Sequence, residues 1–458
     1  MKHPARRRVL FITYEFPPSL EIGAHTCRQL ARHLPLCGWD PVVLTVKEHY
    51  FPNRDRGLPP GDPGRVVRTW MFPHPLNIYA TVWSRLVPGG NGSAAAEPFS
   101  ESTARAAGPL RHWILSFLKT PDVYTGWILP AVVTGMREVR RHGIAHLLSS
   151  GPYWSNHLIG LALSRLTGLS WTAQFRDPWT GIPQWKLETA ISKRVEAALE
   201  RMVVARASSV VCVTDLHARL FRQLYPDLPP SKFVTIPNGF DELEWQEAGL
   251  GRNNGGCRRS GKFVIRYTGS LYQRRNPRPV FRALQLLIAS GEIKPGTVAI
   301  DLMGWCDVAE GQPVSQMADE CKVADWVTIT GPRSRAETLR SMVQADLLLL
   351  LAEAQPYQIP GKAYEYLRAG RPVLALTPEG ALAQLLRQTG GAWVVDPADE
   401  AAIAAAVRDA YRRWSIGLDG PKADWAVVTS FDRRLLAGRI AELFDSACRP
   451  PASAEVRR

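Results

Sequence analysis

Short apolar runs alternate with amphipathic segments along the first 240 residues of the chain. The apolar runs predict strands at 9–13, 41–46, 145–148, 171–175, 209–213 and 233–236. Apolar positions spaced three and four apart predict helices at 24–36, 132–142, 156–166 and 192–207. Strands that alternate with helices in this way are typical of a parallel sheet covered by helices on both faces.

The same alternation begins again after a glycine-rich and polar stretch at 249–262, which we interpret as a linker between domains. Strands are predicted at 263–267, 299–303, 326–329, 347–351, 373–376 and 392–395. Helices are predicted at 277–290, 335–344, 362–369, 380–388 and 399–414. The fold class is therefore α/β, with two Rossmann-like, doubly wound domains at 1–248 and 263–425. An amphipathic helix follows at 426–448.

Two segments lack any periodicity. Residues 85–108 are small and polar, which predicts a surface insertion, and the tail after Pro450 is predicted to be disordered.

The charge balance narrows the range of partners. The chain has 458 residues and a net charge of +14, and its basic residues are spread along it rather than gathered in one arm or helix. This distribution favours anionic small molecules or an anionic membrane surface over nucleic acid. Aromatic residues that we expect at the surface, such as Trp83 and Trp113, add a weak preference for a partner at an anionic membrane.

The cysteines and the apolar runs bear on the compartment. The seven cysteines form no Cys-x-x-Cys pair, which favours reduced thiols and argues against structural zinc. There is no Asp-x-Asp metal motif, and no apolar run approaches the roughly 18 residues of a membrane helix. We expect a cytoplasmic protein, either free or bound peripherally at the inner face of a membrane.

The most informative segment is IPGKAYEYLRAGRPVLAL at 359–376. It reads as a loop, a helix that ends at Gly370, and then a buried strand. Lys362 lies at the helix N-terminus, where the partial positive charge of the helix favours an anion. These features predict a phosphate-binding site.

A second candidate phosphate site follows the strand at 263–267. Gly269 and Ser270 end that strand, and Arg274 and Arg275 come before the next helix. Glycine lets a backbone approach a phosphate closely, and an arginine fork donates two hydrogen bonds to it. The sequence does not decide which of the two arginines makes the contact.

In the first domain, candidate residues follow three predicted strands. Gly23 and Ala24 open the helix after the first strand, and His157 lies near the start of another helix. Arg176 and Asp177 follow the strand at 171–175, either as substrate contacts or as a buried pair that holds the loop. The carboxyl ends of parallel strands lie at one edge of a sheet, so these residues are expected on the same side.

Three segments together resemble the family-4-like, retaining glycosyltransferases of the two-domain GT-B type. They are VTIPNGFD at 234–241, the loop at 267–275, and the segment at 359–371. The resemblance implies two Rossmann-like domains that face each other across a cleft, with a C-terminal helix that crosses back to the first domain. It also implies a nucleotide-diphosphate sugar as co-substrate, no cofactor and no metal.

The resemblance assigns roles to single residues. Lys362 with Arg274 or Arg275 would neutralise the diphosphate, Glu365 would hold the ribose, and His157 would line the acceptor side. Further donor-side positions are Gly269, Ser270, Gly331, Arg333, Tyr357, Ile359 and Gly361, and the acceptor-side positions are Gly23, Ala24, Arg176 and Asp177.

One position departs from the family pattern. The family has a first glutamate eight residues before the second, and here that position is Tyr357. The departure keeps two alternatives open beside transfer to a saccharide or lipid-linked acceptor: a nucleotide-sugar epimerase on the same fold, and an inactive nucleotide-binding scaffold.

Overall fold

The computed structural model describes residues 6–54, 64–74, 119–180, 189–251, 261–272, 274–352 and 356–449. Several parts of the sequence-based prediction lie outside these residues. They are the insertion at 85–108, Trp83, Trp113, most of the linker and the tail after Pro450. The chain forms two compact units. The first contains the described residues up to Val213, His217–Ile236 and those from Ala437 onward, and the second contains Thr214–Leu216 and Pro237–Leu436.

The first unit is built on a seven-stranded parallel sheet in the order β3-β2-β1-β4-β5-β6-β7. Its strands are β1 (Arg7–Ile12), β2 (Trp39–Val46), β3 (Arg65–Thr69), β4 (Ile144–Ser150), β5 (Trp171–Phe175), β6 (Ser209–Cys212) and β7 (Phe233–Thr235). The central strands β4 and β5 are buried along almost their whole length, so the side chains of both faces of the sheet lie in the core.

Helices connect the strands of the first sheet. They are α1 (Ile22–His33), α2 (Ile128–His142), α3 (Trp154–Thr167), α4 (Ala190–Arg206) and α5 (Asp215–Leu224). The next helix along the chain, α6 (Glu242–Glu247), already belongs to the second unit.

The second unit is built on a six-stranded parallel sheet in the order β12-β9-β8-β13-β14-β15. Its strands are β8 (Phe263–Thr268), β9 (Val298–Met303), β12 (Val327–Gly331), β13 (Leu347–Leu351), β14 (Val373–Leu376) and β15 (Ala392–Val395), and β10 (Val308–Ala309) and β11 (Gln312–Pro313) form a separate hairpin. Strand β13 is five consecutive leucines, all fully buried.

The helices of the second unit include two that matter for the site. These are α9 (Arg335–Gln344) and α10 (Gly361–Ala369). The others are α7 (Arg278–Ala289), α8 (Val314–Glu320), α11 (Ala381–Thr389), α12 (Glu400–Ser415) and α13 (Trp425–Thr429), and α14 (Arg433–Cys448) ends the described chain.

Each sheet therefore has a point where the strand order reverses. It lies between β1 and β4 in the first sheet and between β8 and β13 in the second. Open α/β sheets bind ligands outside the carboxyl ends of the strands at such points. Both Rossmann-like domains of the prediction are confirmed, and their switch points indicate where each unit binds ligands.

The boundary between the units differs from the division made on composition. Residues 237–248 were assigned to the first domain, yet Phe240, Trp245 and Ala248 are buried in the core of the second unit. The C-terminal helix α14 returns to the first unit at Ala437. There Phe444 packs on Trp39, with ring centroids 5.2 Å apart.

Candidate active site

In the second unit, Gly269 and Lys362 meet at the switch point of the sheet. Gly269 directly follows β8 and has a φ of 115°, a backbone conformation that residues other than glycine rarely adopt. A Cβ added at Gly269 would lie 2.7 Å from Lys362 Nζ. Glycine at this position therefore lets the ammonium group approach the backbone.

Lys362 lies in the first turn of α10, whose N-terminus has Pro360 as its N-cap and no side-chain cap. Its Nζ donates to Thr268 O at 2.6 Å and lies 3.9 Å from the centroid of the Tyr267 ring. Burial, and then the positive charge of Arg275, hold the pKa of Lys362 well below its usual range. An anion beside this group would stabilise its charged form.

The two candidate arginines have different surroundings. Arg275 Cζ lies 4.1 Å from the centroid of the Tyr272 ring, and its charge acts on Lys362. Arg274 is exposed, with a φ of 63°, and lines a shallow groove of about 510 Å³ that also contains Glu310 and Asp396. The structure thus associates Arg275, rather than Arg274, with the lysine.

Glu365 lies one turn further along α10 and forms an ion pair with Arg335 at the start of α9. Arg335 Nη2 donates to Glu365 Oε1 at 2.5 Å, and its Nε donates to Glu244 Oε2 at 3.0 Å. Arg335 was absent from the sequence-based candidates. In the sequence, only its position two residues after Arg333, at the start of a predicted helix, could have identified it as a candidate.

The remaining donor-side candidates lie around the same sheet edge. Ser270 O accepts a hydrogen bond from Tyr267 Oη at 2.8 Å, and Tyr357 O accepts one from Thr214 Oγ1 at 2.7 Å. Ile359 is buried and Gly361 opens α10. Gly331 ends β12 with a φ of 72°, and the exposed Arg333 follows it before α9.

In the first unit, Gly23 lies directly against a buried ion pair. Arg176 Nη2 is 3.0 Å from Glu15 Oε2, and each side chain is only 10% exposed. A Cβ at Gly23 would lie 1.5 Å from Glu15 Oε2. Glu15 follows β1 and was not among the sequence-based candidates, although a carboxylate directly after a buried strand is an unusual feature.

We expect Gly23→Ala to destabilise the first unit by about 1–3 kcal/mol, because the added methyl would displace the Glu15 carboxylate from Arg176. Denaturant unfolding measures this change. Gly438→Ala is a matched control in the same unit, since a Cβ there has its nearest neighbour, Cys37 Sγ, at 4.0 Å. Equal stability of the two variants would contradict the assigned contact.

His157 lies in the interior of the first unit. It is fully buried in α3, its Nδ1 is hydrogen-bonded with Ser149 Oγ at 2.8 Å, and its ring stacks on Phe175 at 4.3 Å. Burial, with a smaller effect of Arg176, lowers the pKa of His157 to about 3. His157 is therefore a neutral imidazole at neutral pH.

The other acceptor-side candidates flank the Glu15–Arg176 pair. Ala24 is fully buried in the first turn of α1, and Asp177 is half-buried after β5. Arg176 Nε also donates to Gly151 O at the end of β4. Loops after β1, β4 and β5 thus converge at the switch point of the first sheet.

Three negative findings hold for the described residues alone. Within those ranges, no three His, Cys, Asp or Glu side chains are grouped to hold a metal ion. The six cysteines that the structure describes form no disulfide bond with one another. None of the described helices is long and apolar enough to cross a membrane.

Two family models match the chain. Residues 23–239 match the glycosyl transferase 4-like domain, and residues 262–413 match the glycosyl transferases group 1. A search of curated protein sequences gives no significant match.

Several solved structures have the same fold, and each aligns with this chain over almost the full length of both proteins. HepE of Anabaena in complex with UDP is 14% identical, with a TM-score of 0.61 over 96% of this chain and 100% of its own. The complex of HepE with UDP-glucose is 15% identical, with a TM-score of 0.58 over 96% and 99%. Sucrose-phosphate synthase from Thermosynechococcus elongatus is 14% identical, with a TM-score of 0.55 over 97% and 95%. At these identities the similarity shows the GT-B fold.

Proposed function

The chain belongs to the two-domain glycosyltransferases that combine a 4-like domain with a group 1 domain, and on this premise we propose a more specific activity. The protein transfers a sugar from a nucleotide-diphosphate sugar, with retention at the anomeric carbon and without a divalent cation. The position of Lys362 Nζ, which donates to Thr268 O and lies beside Gly269 at the switch point of the second sheet, is the observation that carries this proposal.

Breaking the bond between the sugar and the diphosphate places negative charge on the departing phosphate. Lys362, Arg275 and the N-terminus of α10 are the groups that we assign to this charge. Preorganised donors of this kind are typically worth about 3–4 kcal/mol each in the transition state. These groups supply positive charge without a metal ion.

The ligands of a structure with the same fold also support a nucleotide sugar as the donor. HepE, which shares the fold, has been solved with UDP and with UDP-glucose. In our proposal Glu365 accepts hydrogen bonds from the ribose, and Gly331 and Arg333 lie beside the base. Retention is the course of the family-4-like enzymes that the segment at 359–371 resembles.

We propose a saccharide, free or lipid-linked, as the acceptor. It would bind at the switch point of the first sheet, near Gly23, Ala24, Arg176 and Asp177, with His157 as a buried support. The net charge of +14 is compatible with a lipid-linked acceptor in an anionic membrane.

A panel of nucleotide sugars, assayed with EDTA and with a set of saccharide acceptors, tests the proposal. We expect at least one donor to raise the unfolding temperature and to release its nucleoside diphosphate in EDTA. Activity that is abolished by EDTA and restored by Mn²⁺ would contradict metal independence. An epimerised donor formed without acceptor would indicate an epimerase, and binding without turnover would indicate a scaffold.

Proton uptake provides a pH-dependent test of the lysine. Because the pKa of Lys362 is lowered in the free protein, a bound diphosphate should raise it and draw a proton onto the amine. Affinity should therefore fall as the pH rises through that lowered pKa. Calorimetry at several pH values from about 8, where a phosphate with a second pKa of about 6 is fully ionised, up to about 10 measures the uptake, with two buffers of different ionisation enthalpy at each pH. Lys362→Met should abolish it, and equal uptake in both proteins would refute the assignment.

A further inference from the structure

Arg335 occupies a position that joins three helices of the second unit. It lies in the first turn of α9, donates to Glu365 on α10 at 2.5 Å, and donates to Glu244 on α6 at 3.0 Å. The exposed fraction of the side chain is 36% for Arg335, 15% for Glu365 and 12% for Glu244. One guanidinium thus compensates two partly buried carboxylates.

The electrostatics show how strongly the three groups interact. Burial alone would lower the pKa of Arg335, but Glu365 and then Glu244 raise it well above its usual range. Without the guanidinium, the two carboxylates would be left as like charges beside each other in a poorly solvated region, without a compensating cation.

Glu244 is itself held firmly. Its helix α6 is joined to α10 by the neighbouring pair of Glu242 and Arg368, whose two hydrogen bonds are 2.5 and 2.7 Å long. Arg368 is 3% exposed and its guanidinium lies over the Trp245 ring at 4.7 Å. Arg335 is therefore bonded on one side to α6, a helix that is itself ion-paired to α10, and on the other side to Glu365.

A glutamate side chain has three rotatable bonds, and holding it in one rotamer costs conformational entropy. The bond from Arg335 fixes Oε1 of Glu365, and the carboxylate keeps acceptor capacity at its other oxygen. This arrangement prepares Glu365 to accept a hydroxyl before any ligand arrives.

We propose that Arg335 is a positioning residue for recognition of the ribose, because it orients the Glu365 carboxylate through a bridge to Glu244. This inference rests on the proposed function, in which Glu365 binds the ribose of the donor. Arg335 acts on donor affinity and on discrimination between sugars of the nucleotide, and it leaves the chemical step unchanged.

Binding of UDP and GDP, each compared with its 2′,3′-dideoxy counterpart, tests the proposal. Hydrogen bonds to a charged group lead us to expect that the wild-type protein prefers the ribose form by about 10- to 100-fold. In Arg335→Gln this preference should fall to about threefold or less, as in Glu365→Gln. The double variant should lose no more than Glu365→Gln alone, because both changes remove one interaction. With the donor, KM should rise about tenfold while kcat stays within about threefold.

Asp301→Asn is the matched control. Asp301 forms a similar ion pair with Arg266 in the same unit at 2.9 Å, with exposed fractions of 15% and 14%. This variant should keep the wild-type preference for ribose. If Arg335→Gln does not fold, Glu244→Gln removes the anchor instead and should lower the preference several-fold.

Three results would overturn the inference. The first is that Arg335→Gln prefers the ribose form as strongly as the wild-type protein does. If that variant does not fold, the same result in Glu244→Gln counts instead. The second is an equal loss of affinity for the ribose and dideoxy forms, which would mean a general structural role. The third is a wild-type protein that binds neither UDP nor GDP nor any other nucleoside diphosphate, which would overturn the proposed function together with this inference.

Discussion

Lys362→Met should lower the rate at which nucleoside diphosphate is released from the sugar donor about 100- to 1,000-fold, which is the usual effect of removing one preorganised hydrogen-bond donor. The same change should leave the unfolding temperature equal or higher. Burial lowers the pKa of the partly buried Lys362. Its charged form is therefore costly in the free protein, and an apolar side chain of similar length removes that cost. Loss of activity without loss of stability is the signature of a functional cation.

Lys294→Met is the control for this prediction. Lys294 is exposed in the same unit, so its replacement should change neither the release of diphosphate nor the unfolding temperature. The release of nucleoside diphosphate is measured with the nucleotide sugar of the panel that turns over fastest. A Lys362→Met protein that turns over at the wild-type rate would remove the lysine from the mechanism.

Arg275→Ala should lower diphosphate release about 100-fold, whereas Arg274→Ala should change it less than about threefold. The prediction follows from their surroundings, since Arg275 acts on Lys362 and Arg274 lines a groove with Glu310 and Asp396. The double variant should behave like Arg275→Ala alone. Steady-state assays at saturating donor separate the three proteins.

Arg278→Ala serves as the matched control for the arginine series. Arg278 lies three residues beyond Arg275 and forms an ion pair with Glu320 at 2.7 Å. Its removal changes the net charge of this region by the same amount without removing a proposed phosphate contact. Equal losses in Arg274→Ala, Arg275→Ala and Arg278→Ala would mean that only the overall charge of the region matters.

The alternation of strands and helices could be predicted because most strands are short, largely apolar runs, and β13 and β14 are entirely apolar. The predicted strands at 171–175, 347–351, 373–376 and 392–395 have the observed bounds. Strand β3 was missed because its sequence RVVRT places it at an edge, with only two apolar residues between charged ones. Helix α6 was missed because its six residues are too few to show a helical period.

The candidate site was predictable only in part, for a related reason. Gly269 and Lys362 could be predicted because each directly follows a recognisable strand or starts a recognisable helix. Their contact, across 93 positions of sequence, needed the strand order of the second sheet. Glu15 and Arg335 escaped notice because their roles depend on partners that are distant in sequence, Arg176 and Glu365.

A crystal structure of the protein with UDP or GDP, grown in EDTA, tests the central claim most directly. We predict that the β-phosphate lies within hydrogen-bonding distance of Lys362 Nζ and beside the backbone of Gly269, with Arg275 on the same group. A diphosphate bound away from these residues, or held only when Mn²⁺ or Mg²⁺ is added, would contradict the account.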